Sequence, residues 1–348
     1  MYLNHRYKRL NEALHYAYQC RIQNNLKTNP KKNWNHINKQ RTESGLPNHM
    51  SLDDVEASST PDICNLFRKH YSSVFSDVTL TNQQISEPAR NVPLRSPLGP
   101  HPSVTTSDID TSCSKLKSSS NAGPDGIPSI VIKKCSSSLL VPLCMLFNSS
   151  LHSGVFPDSW KKSYVFPVFK KGNKCIISNY RGIAALCAVS KLFELIVLDF
   201  ITHNCSSYIS ETQHGFISKR STSTNLVSYT SFILRSLQAR LQVDAIYTDF
   251  SAAFDKINHK IAVAKLERLG FSGSFLGWLQ SYLTGRETAV KIGDCITSSF
   301  PISSGVPQGS HLGPFIFLLY LNDLNLSLDC MKLSFADDFK IISRHQKP

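Results

Sequence analysis

The feature that most restricts what this chain can fold into is a set of aspartates at the ends of apolar, strand-like runs. Asp337 and Asp338 stand between Met331, Leu333 and Phe335 on one side and Phe339 and Ile341 on the other. That alternation predicts a tight hairpin with two carboxylates at its tip. Asp249 closes the run Ala245-Ile246-Tyr247 and so belongs at the edge of a sheet rather than in a solvated loop. Adjacent carboxylates repel one another unless a cation neutralises them, and Mg²⁺ with hard oxygen ligands is the usual partner where phosphate is also present. Two acidic strand ends in one fold therefore suggest a divalent-metal site. A bare Asp-Asp pair is weak support, since about one is expected in a chain of this size. A second pair, Asp53-Asp54, reads as a helix-start turn.

Over 348 residues the chain is 41% hydrophobic and 18% charged, which excludes collagen-like, low-complexity and fully disordered classes. Thirty-eight Lys and Arg against 25 Asp and Glu leave a net charge of +13, suited to nucleic acid or an anionic surface. Residues 1–50 hold nine Lys or Arg and two Glu, so more than half of that excess sits in one segment, as a basic arm on phosphates or a solvated helix with a polar tail. Ten cysteines without a Cys-x-x-Cys spacing read as reduced thiols. Arg6, Lys8, Arg9 and Glu12 stand where a signal peptide needs an apolar core, and the longest apolar candidate, Phe315 to Leu321, stops at Asn322-Asp323. The sequence thus argues against secretion and against a membrane span. Twelve histidines without His-x-x-x-His or His/Cys ligand spacing argue against zinc.

Periodicity predicts helices over Thr60 to Phe75, Asp108 to Leu116, Ser138 to Leu151 (buried), Val189 to His203 and His259 to Leu269. Strands are expected over Tyr164 to Phe169, Val243 to Phe250, Ala289 to Ile292 and Met331 to Ile342. Residues 76–105, with five prolines and little periodicity, read as a linker.

Three ordered stretches carry a family likeness: Tyr247-Thr-Asp-Phe-Ser-Ala-Ala-Phe-Asp-Lys-Ile-Asn-His259, Ser304-Gly-Val-Pro-Gln-Gly309 running on to Leu324, and Ser334-Phe-Ala-Asp-Asp338. They resemble successive palm motifs of the reverse transcriptases of LINE-class, non-LTR retrotransposons. Upstream, Asn121 to Gly126, Pro167 to Gly172, Asn179-Tyr-Arg-Gly-Ile183 and Gln213-His-Gly-Phe216 resemble that family's fingers segments. The resemblance covers residues 107–348 and implies an α+β right-hand polymerase, with fingers at about 107–240 and a palm mostly in 241–348 whose small antiparallel sheet is backed by helices. Residues 1–106 would be a basic helical extension and Pro-rich linker.

By resemblance, Asp249 and Asp337 are the catalytic carboxylates that bridge two Mg²⁺ ions, with Mn²⁺ a possible substitute. Phe250 offers a backbone carbonyl, and Asp338 is a supporting acid. Arg181 and Lys170 or Lys171 match residues that hold the triphosphate of the incoming nucleotide. Phe254 matches the bulky side chain that closes the sugar pocket against a 2′-hydroxyl, Gln308 lies against the nucleotide, and Gly309 lets the backbone approach the template. Asp255 does not match a metal position and is expected to be structural. Gly182 stands where the family carries proline, and His311 where it carries a small or β-branched apolar residue. The implied function is RNA-directed DNA synthesis from an RNA template, a DNA primer and deoxynucleoside triphosphates, without a membrane, in an intracellular setting of nucleus or cytoplasm. Related readings are a group II intron maturase or a viral RNA-dependent enzyme, the latter typically with Gly where Ala336 stands. The rival of a different class is a decayed, non-catalytic fragment that retains only nucleic-acid binding. The chain ends ten residues after Asp338, so a truncated product without a thumb is expected, inactive or strictly distributive by itself. Phe339 to Ile342 is then expected at or near a sheet margin.

Overall fold

A computed structural model describes residues 46–75, 78–99 and 102–346, together with Tyr16, Ala17 and Cys20. The chain divides into two units, Met1–Asn48 and His49–Pro348. In the first, Tyr16, Ala17 and Cys20 are helical. The basic segment 1–50 otherwise lies outside the described residues, save for positions 46–50.

The second unit is α+β. Its chain begins with a hairpin, β1 (Met50–Leu52) and β2 (Val55–Ala57). The pair Asp53-Asp54, read as a helix start, is instead the turn of that hairpin, with Asp53 in the left-handed region at φ 52°. Helix α1 (Thr60–Ser72) starts where Ser59 accepts a hydrogen bond from the Asp62 amide, and buries Ile63, Leu66, Phe67 and Tyr71 along the expected stripe. The stretch read as a linker contains α2 (Asn82–Arg90), opened by a reciprocal cap between Thr81 and Gln84. Its stripe is too short to register as periodicity, because Ala89 is its one buried residue. The chain beyond α2 is tied down too: Arg268 Nε donates to the Val92 carbonyl at 2.8 Å, and the Leu98 amide to the Gly270 carbonyl at 2.8 Å.

Helices α3 (Thr106–Lys115), α4 (Ser129–Lys134) and α5 (Ser136–Ser153) come next. The last was expected to be buried, yet only one face is: Leu143, Phe147 and Leu151 are covered, whereas Val141 and Met145 are 61% and 69% exposed. They lead into β3 (Lys162–Phe169), β4 (Tyr180–Ala185), α6 (Ala188–Cys205), α7 (Thr222–Gln238), β5 (Leu241–Thr248), α8 (His259–Arg268) and α9 (Gly273–Leu283). The described chain closes with β6 (Arg286–Ile292), β7 (Cys295–Ile296), β8 (Phe300–Ile302), α10 (Gly313–Ser327), β9 (Met331–Phe335) and β10 (Asp338–Gln346). The apolar run Phe315 to Leu321 is the buried middle of α10, and no helix among the described residues is long and apolar enough to cross a membrane.

The larger sheet has the order β4-β3-β6-β7, with β8 also on β6. Its β3–β6 pair is parallel while its other pairs are antiparallel. Because β6 to β8 join β3 and β4, this sheet crosses the boundary expected near residue 240. Beneath lies an aromatic core in which Phe147 and Phe193 stack at 4.2 Å and Trp278 meets Phe193 edge-on at 5.0 Å, the Trp fully buried.

The smaller sheet is antiparallel, in the order β5-β10-β9, with α7 packed on it. Strand β10 is thus its centre, paired with β5 from Phe339↔Thr248 to Gln346↔Leu241 and with β9 from Asp338↔Phe335 to Ile342↔Met331. The expectation that Phe339 to Ile342 would lie at a sheet margin is corrected, because β5 supplies the second neighbour from about a hundred residues upstream. On its outer side β9 is covered as well: the His214 amide donates to the Ser334 carbonyl at 2.8 Å and the Ser334 amide to the Thr212 carbonyl at 3.0 Å.

Candidate functional site

Strand register brings the acidic residues together. Thr248 pairs with Phe339, so Asp249, one step beyond, and Asp338, one step before, close the ladder opposite each other. Both line an open cavity with Thr222, Asn225, Tyr247 and Lys340. Asp337 occupies the turn between β9 and β10 and is half-buried, while Asp249 and Asp338 are exposed. Burial pushes the Asp337 carboxyl above its ordinary range, its own backbone amide pulls it down, the negative charges of Asp338 and Asp249 push it up, and Lys170 pulls it down.

The hairpin tip is held by a residue far away in sequence. Ala336 sits at φ 57°, a left-handed conformation that costs a non-glycine residue about 1 kcal/mol. Gln213 clamps it from both sides: its Oε1 accepts from the Ala336 amide at 3.0 Å, and its Nε2 donates to the Ala336 carbonyl at 3.2 Å. Gly215 packs so closely behind that a Cβ there would lie 2.2 Å from the Ala336 nitrogen. The stretch Gln213-His-Gly-Phe216, picked out by resemblance alone, thus has a physical task at the acidic turn.

Phe254 is half-buried, stacked on Phe317 at 4.3 Å and met edge-on by Phe216 at 6.0 Å, and Phe250 is also half-buried. Lys170, Lys171 and Arg181 lie on the β3–β4 hairpin, all exposed, with Arg181 across from Val168. Of these three, it is Lys170 whose charge acts on Asp337. The neighbouring Gly182 is tight, since a Cβ there would lie 2.6 Å from Val165 Cγ1. Gly309, at φ 103°, has the Ala184 carbonyl oxygen 2.7 Å from where a Cβ would be, so its own neighbour β4 already requires glycine. Gln308 donates from Nε2 to both carboxylate oxygens of Asp255, at 2.8 and 2.9 Å.

Two further residues escaped sequence reading. Glu194 is fully buried in α6, where its Oε2 accepts from the His311 amide at 2.8 Å and its Oε1 from Ser190 Oγ at 3.1 Å. It therefore ties the loop after Gln308 to the core. Arg286 is 2% exposed and donates from Nε to the Tyr282 carbonyl at 2.6 Å. A glutamate on the apolar face of the helix predicted over Val189 to His203 was the available signal.

His259 supports the same loop, its Nε2–H donating to the Gly305 carbonyl at 2.7 Å in a buried setting. Burial lowers its pKa, the Gly305 bond raises it, and the charge of Arg286 lowers it, with a net shift below the ordinary histidine value. The unfolded chain takes up this proton near pH 6.5, before the folded chain does, so stability is lost as pH falls through that point. Unfolding measured from pH 7.5 to 5.5 is expected to show a steeper loss for the parent than for His259→Gln, by at most about 1.4 kcal/mol per pH unit. Equal slopes would contradict the assignment.

The donors at the acidic tip are hard oxygens. Among the described residues, no group of three or more His, Cys, Asp or Glu side chains is gathered tightly enough to hold a metal ion by itself. A cation here would rely on Asp249 and Asp337 with backbone or substrate oxygen, a donor set that fits a hard divalent ion.

The profile of the family described as reverse transcriptase (RNA-dependent DNA polymerase) matches residues 168–348. The chain is similar to the probable RNA-directed DNA polymerase from transposon BS of Drosophila melanogaster, 25% identical over 274 residues, covering 77% of this chain and 30% of that protein. It is also similar to the RNA-directed DNA polymerase from mobile element jockey of the same organism, 25% identical, covering 70% and 28% respectively. The putative 115 kDa protein in type-1 retrotransposable element R1DM, also of D. melanogaster, is 29% identical, covering 69% and 23%. The chain spans less than a third of the length of each of these relatives.

Proposed function

The chain belongs to the reverse transcriptase family, as a member of the non-LTR retrotransposon kind, and from that premise we propose that it carries the nucleotidyl-transfer site of RNA-directed DNA synthesis. The observation that carries this reading is the closing of the β5–β10 ladder on Asp249 and Asp338, with Asp337 in the adjoining turn. Asp249, Asp337 and the Phe250 carbonyl would hold two divalent ions, Mg²⁺ by the hardness of the donors. When bound, such ions lower the pKa of the attacking primer hydroxyl and stabilise the charge on the leaving phosphate oxygens.

The chain's own residues supply position and fixed charge, which is most of what phosphoryl transfer asks of a protein. Arg181 with Lys170 or Lys171 would grip the triphosphate, and Gln308 would lie against the nucleotide. Gly309 would face the template RNA, and the DNA primer would end at the aspartates. Beside them, the Lys340 ammonium lies 5.3 Å from the Tyr229 ring centre and 5.7 Å from that of Tyr247, a basic and aromatic surface suited to nucleic acid. In this reading residues 107–240 are the fingers and 241–348 mostly the palm.

The test is Mg²⁺-dependent extension of a DNA primer on an RNA template by the purified chain, measured one nucleotide at a time. Phe254 would exclude a ribose 2′-hydroxyl, so Phe254→Val is expected to raise ribonucleotide relative to deoxynucleotide incorporation by about tenfold or more. An unchanged ratio would return Phe254 to a packing role with Phe317. Nucleotide addition that continues unchanged when Asp249 or Asp337 is replaced by alanine would count against the reading.

A further inference from the structure

The Gln308 side chain is already committed on one side. Its Nε2 lies within 2.9 Å of both carboxylate oxygens of Asp255. An ionised carboxylate accepts and cannot donate, so the amide nitrogen, and not the amide oxygen, must face it. The two ends of a glutamine amide are otherwise interchangeable, and here chemistry removes the ambiguity.

The backbone on both sides of this pair is fixed as well. Ser304 Oγ donates to the Asp255 carbonyl at 2.6 Å, the Val306 amide to the Phe254 carbonyl at 2.8 Å, and the Gly305 amide to the Ile257 carbonyl at 2.7 Å. A Cβ on Gly305, which sits at φ 83°, would come within 2.6 Å of Asp255 Cα, so the two segments pack backbone against backbone here. From the other side the Ala184 amide of β4 donates to the Gln308 carbonyl at 3.1 Å. Asp255 and Gln308 border a partly open cavity whose walls include Val165, Phe300, Ile302 and Val306. Apolar walls of that kind strengthen a hydrogen bond to a charged acceptor. Burial also holds the Asp255 carboxyl above its ordinary range, while the bond from Gln308 draws it back down.

We infer that Asp255 is a positioning residue for nucleotide binding, holding the Gln308 amide so that its oxygen is the end presented to the incoming nucleotide. This rests on the placement of Gln308 against the nucleotide in the proposed function. An acceptor in that place needs a donor that every incoming nucleotide carries whatever its base. The amino groups of the bases differ among the four, and a deoxynucleotide has one sugar hydroxyl, at the 3′ position. Asp255 therefore acts, through Gln308, on recognition of the 3′-hydroxyl, while the adjacent Phe254 guards the 2′ side of the same sugar.

Binding tests this without turnover. The full chain, on an RNA template with a DNA primer ended by a dideoxynucleotide, is titrated with the matching deoxynucleoside triphosphate and with its 2′,3′-dideoxy analogue. Asp255→Asn, Asp255→Glu, Gln308→Leu and the Asp255→Asn/Gln308→Leu double variant are measured alongside, with unfolding curves to establish that each is folded. The parent is expected to prefer the hydroxyl-bearing nucleotide by about tenfold, the size of one ordinary hydrogen bond. Asp255→Asn, whose amide meets Gln308 in either orientation, is expected to lose most of that preference. Gln308→Leu loses all of it, and the double variant loses no more than Gln308→Leu. Asp255→Glu, again a pure acceptor, keeps at least part of the preference and serves if the asparagine variant does not fold. Parental preference in Asp255→Asn together with its loss in Gln308→Leu would overturn the inference and leave Gln308 at the nucleotide. Parental preference in both variants, or none in the parent, would overturn the Gln308 reading itself.

Discussion

Asp337→Ala and Asp249→Ala are each expected to lower kcat for deoxynucleotide addition by at least about 10²- to 10³-fold, with RNA affinity nearly unchanged. The two properties separate because they use different parts of the molecule. Nucleotide addition needs charge stabilisation at the reacting oxygens, and loss of a fixed group aimed at developing charge costs on that scale. In the proposed function RNA affinity would come mainly from Lys and Arg against phosphate, and the chain's excess of positive charge is raised slightly by an alanine at one aspartate. Single-nucleotide addition and filter binding, run on the same preparations, measure both. Values of kcat within about tenfold of the parent would sink the assignment of these carboxylates. Asp338→Ala is expected to do less, because Asp338 is exposed at the start of β10 whereas Asp337 sits half-buried in the clamped turn.

Glu194→Ala is expected to destabilise the fold by about 1–3 kcal/mol, the cost of leaving buried amide donors without their acceptor. The substitution removes the acceptor for the His311 amide and the charge that faces Arg286 inside the core. The Glu194 carboxyl is pushed up by burial and held down by Arg286, by the amides of His311 and Leu312 and by Ser190. Arg286 is 2% exposed, with its Nε on the Tyr282 carbonyl and its Nη2 without a hydrogen-bond partner even beside Glu194, so the variant takes away a negative charge that offsets its burial. Glu194→Gln keeps an oxygen for the His311 amide and is expected to cost less. Removing both charges in Glu194→Ala/Arg286→Met should recover part of the loss, because no buried ion is then left alone. Denaturant midpoints check the series, and a loss below about 1 kcal/mol for Glu194→Ala would mean that the core does not depend on this pair.

Much of the local structure was legible in the chain. The stripe Ile63, Leu66, Phe67, Tyr71 and the cap at Ser59 marked α1, and the alternation Met331, Leu333, Phe335 marked β9 with an acidic turn after it. Such signals lie within a few residues of one another, since caps, turns and amphipathic periods are made by near neighbours. Misreadings came where that information is thin. The helix Asn82–Arg90 buries a single alanine, and Asp53-Asp54 suits a hairpin turn as well as a helix start. The outer face of α5 has Val141 and Met145 in solvent, which apolar content alone could not distinguish from a buried face.

By itself the sequence determined which strand ends carry carboxylates and which family the motifs resemble. Tertiary structure alone decided how those pieces constrain one another. It made β10 the centre of its sheet, set Gln213 on the Ala336 turn across 123 residues, joined Gln308 to Asp255 across 53, and joined Glu194 to the loop at His311 across 117. A hydrogen bond between distant residues depends on backbone register and on burial that only the assembled core provides. A single polar side chain in an otherwise apolar or turn-forming stretch carries no mark of the partner it will meet.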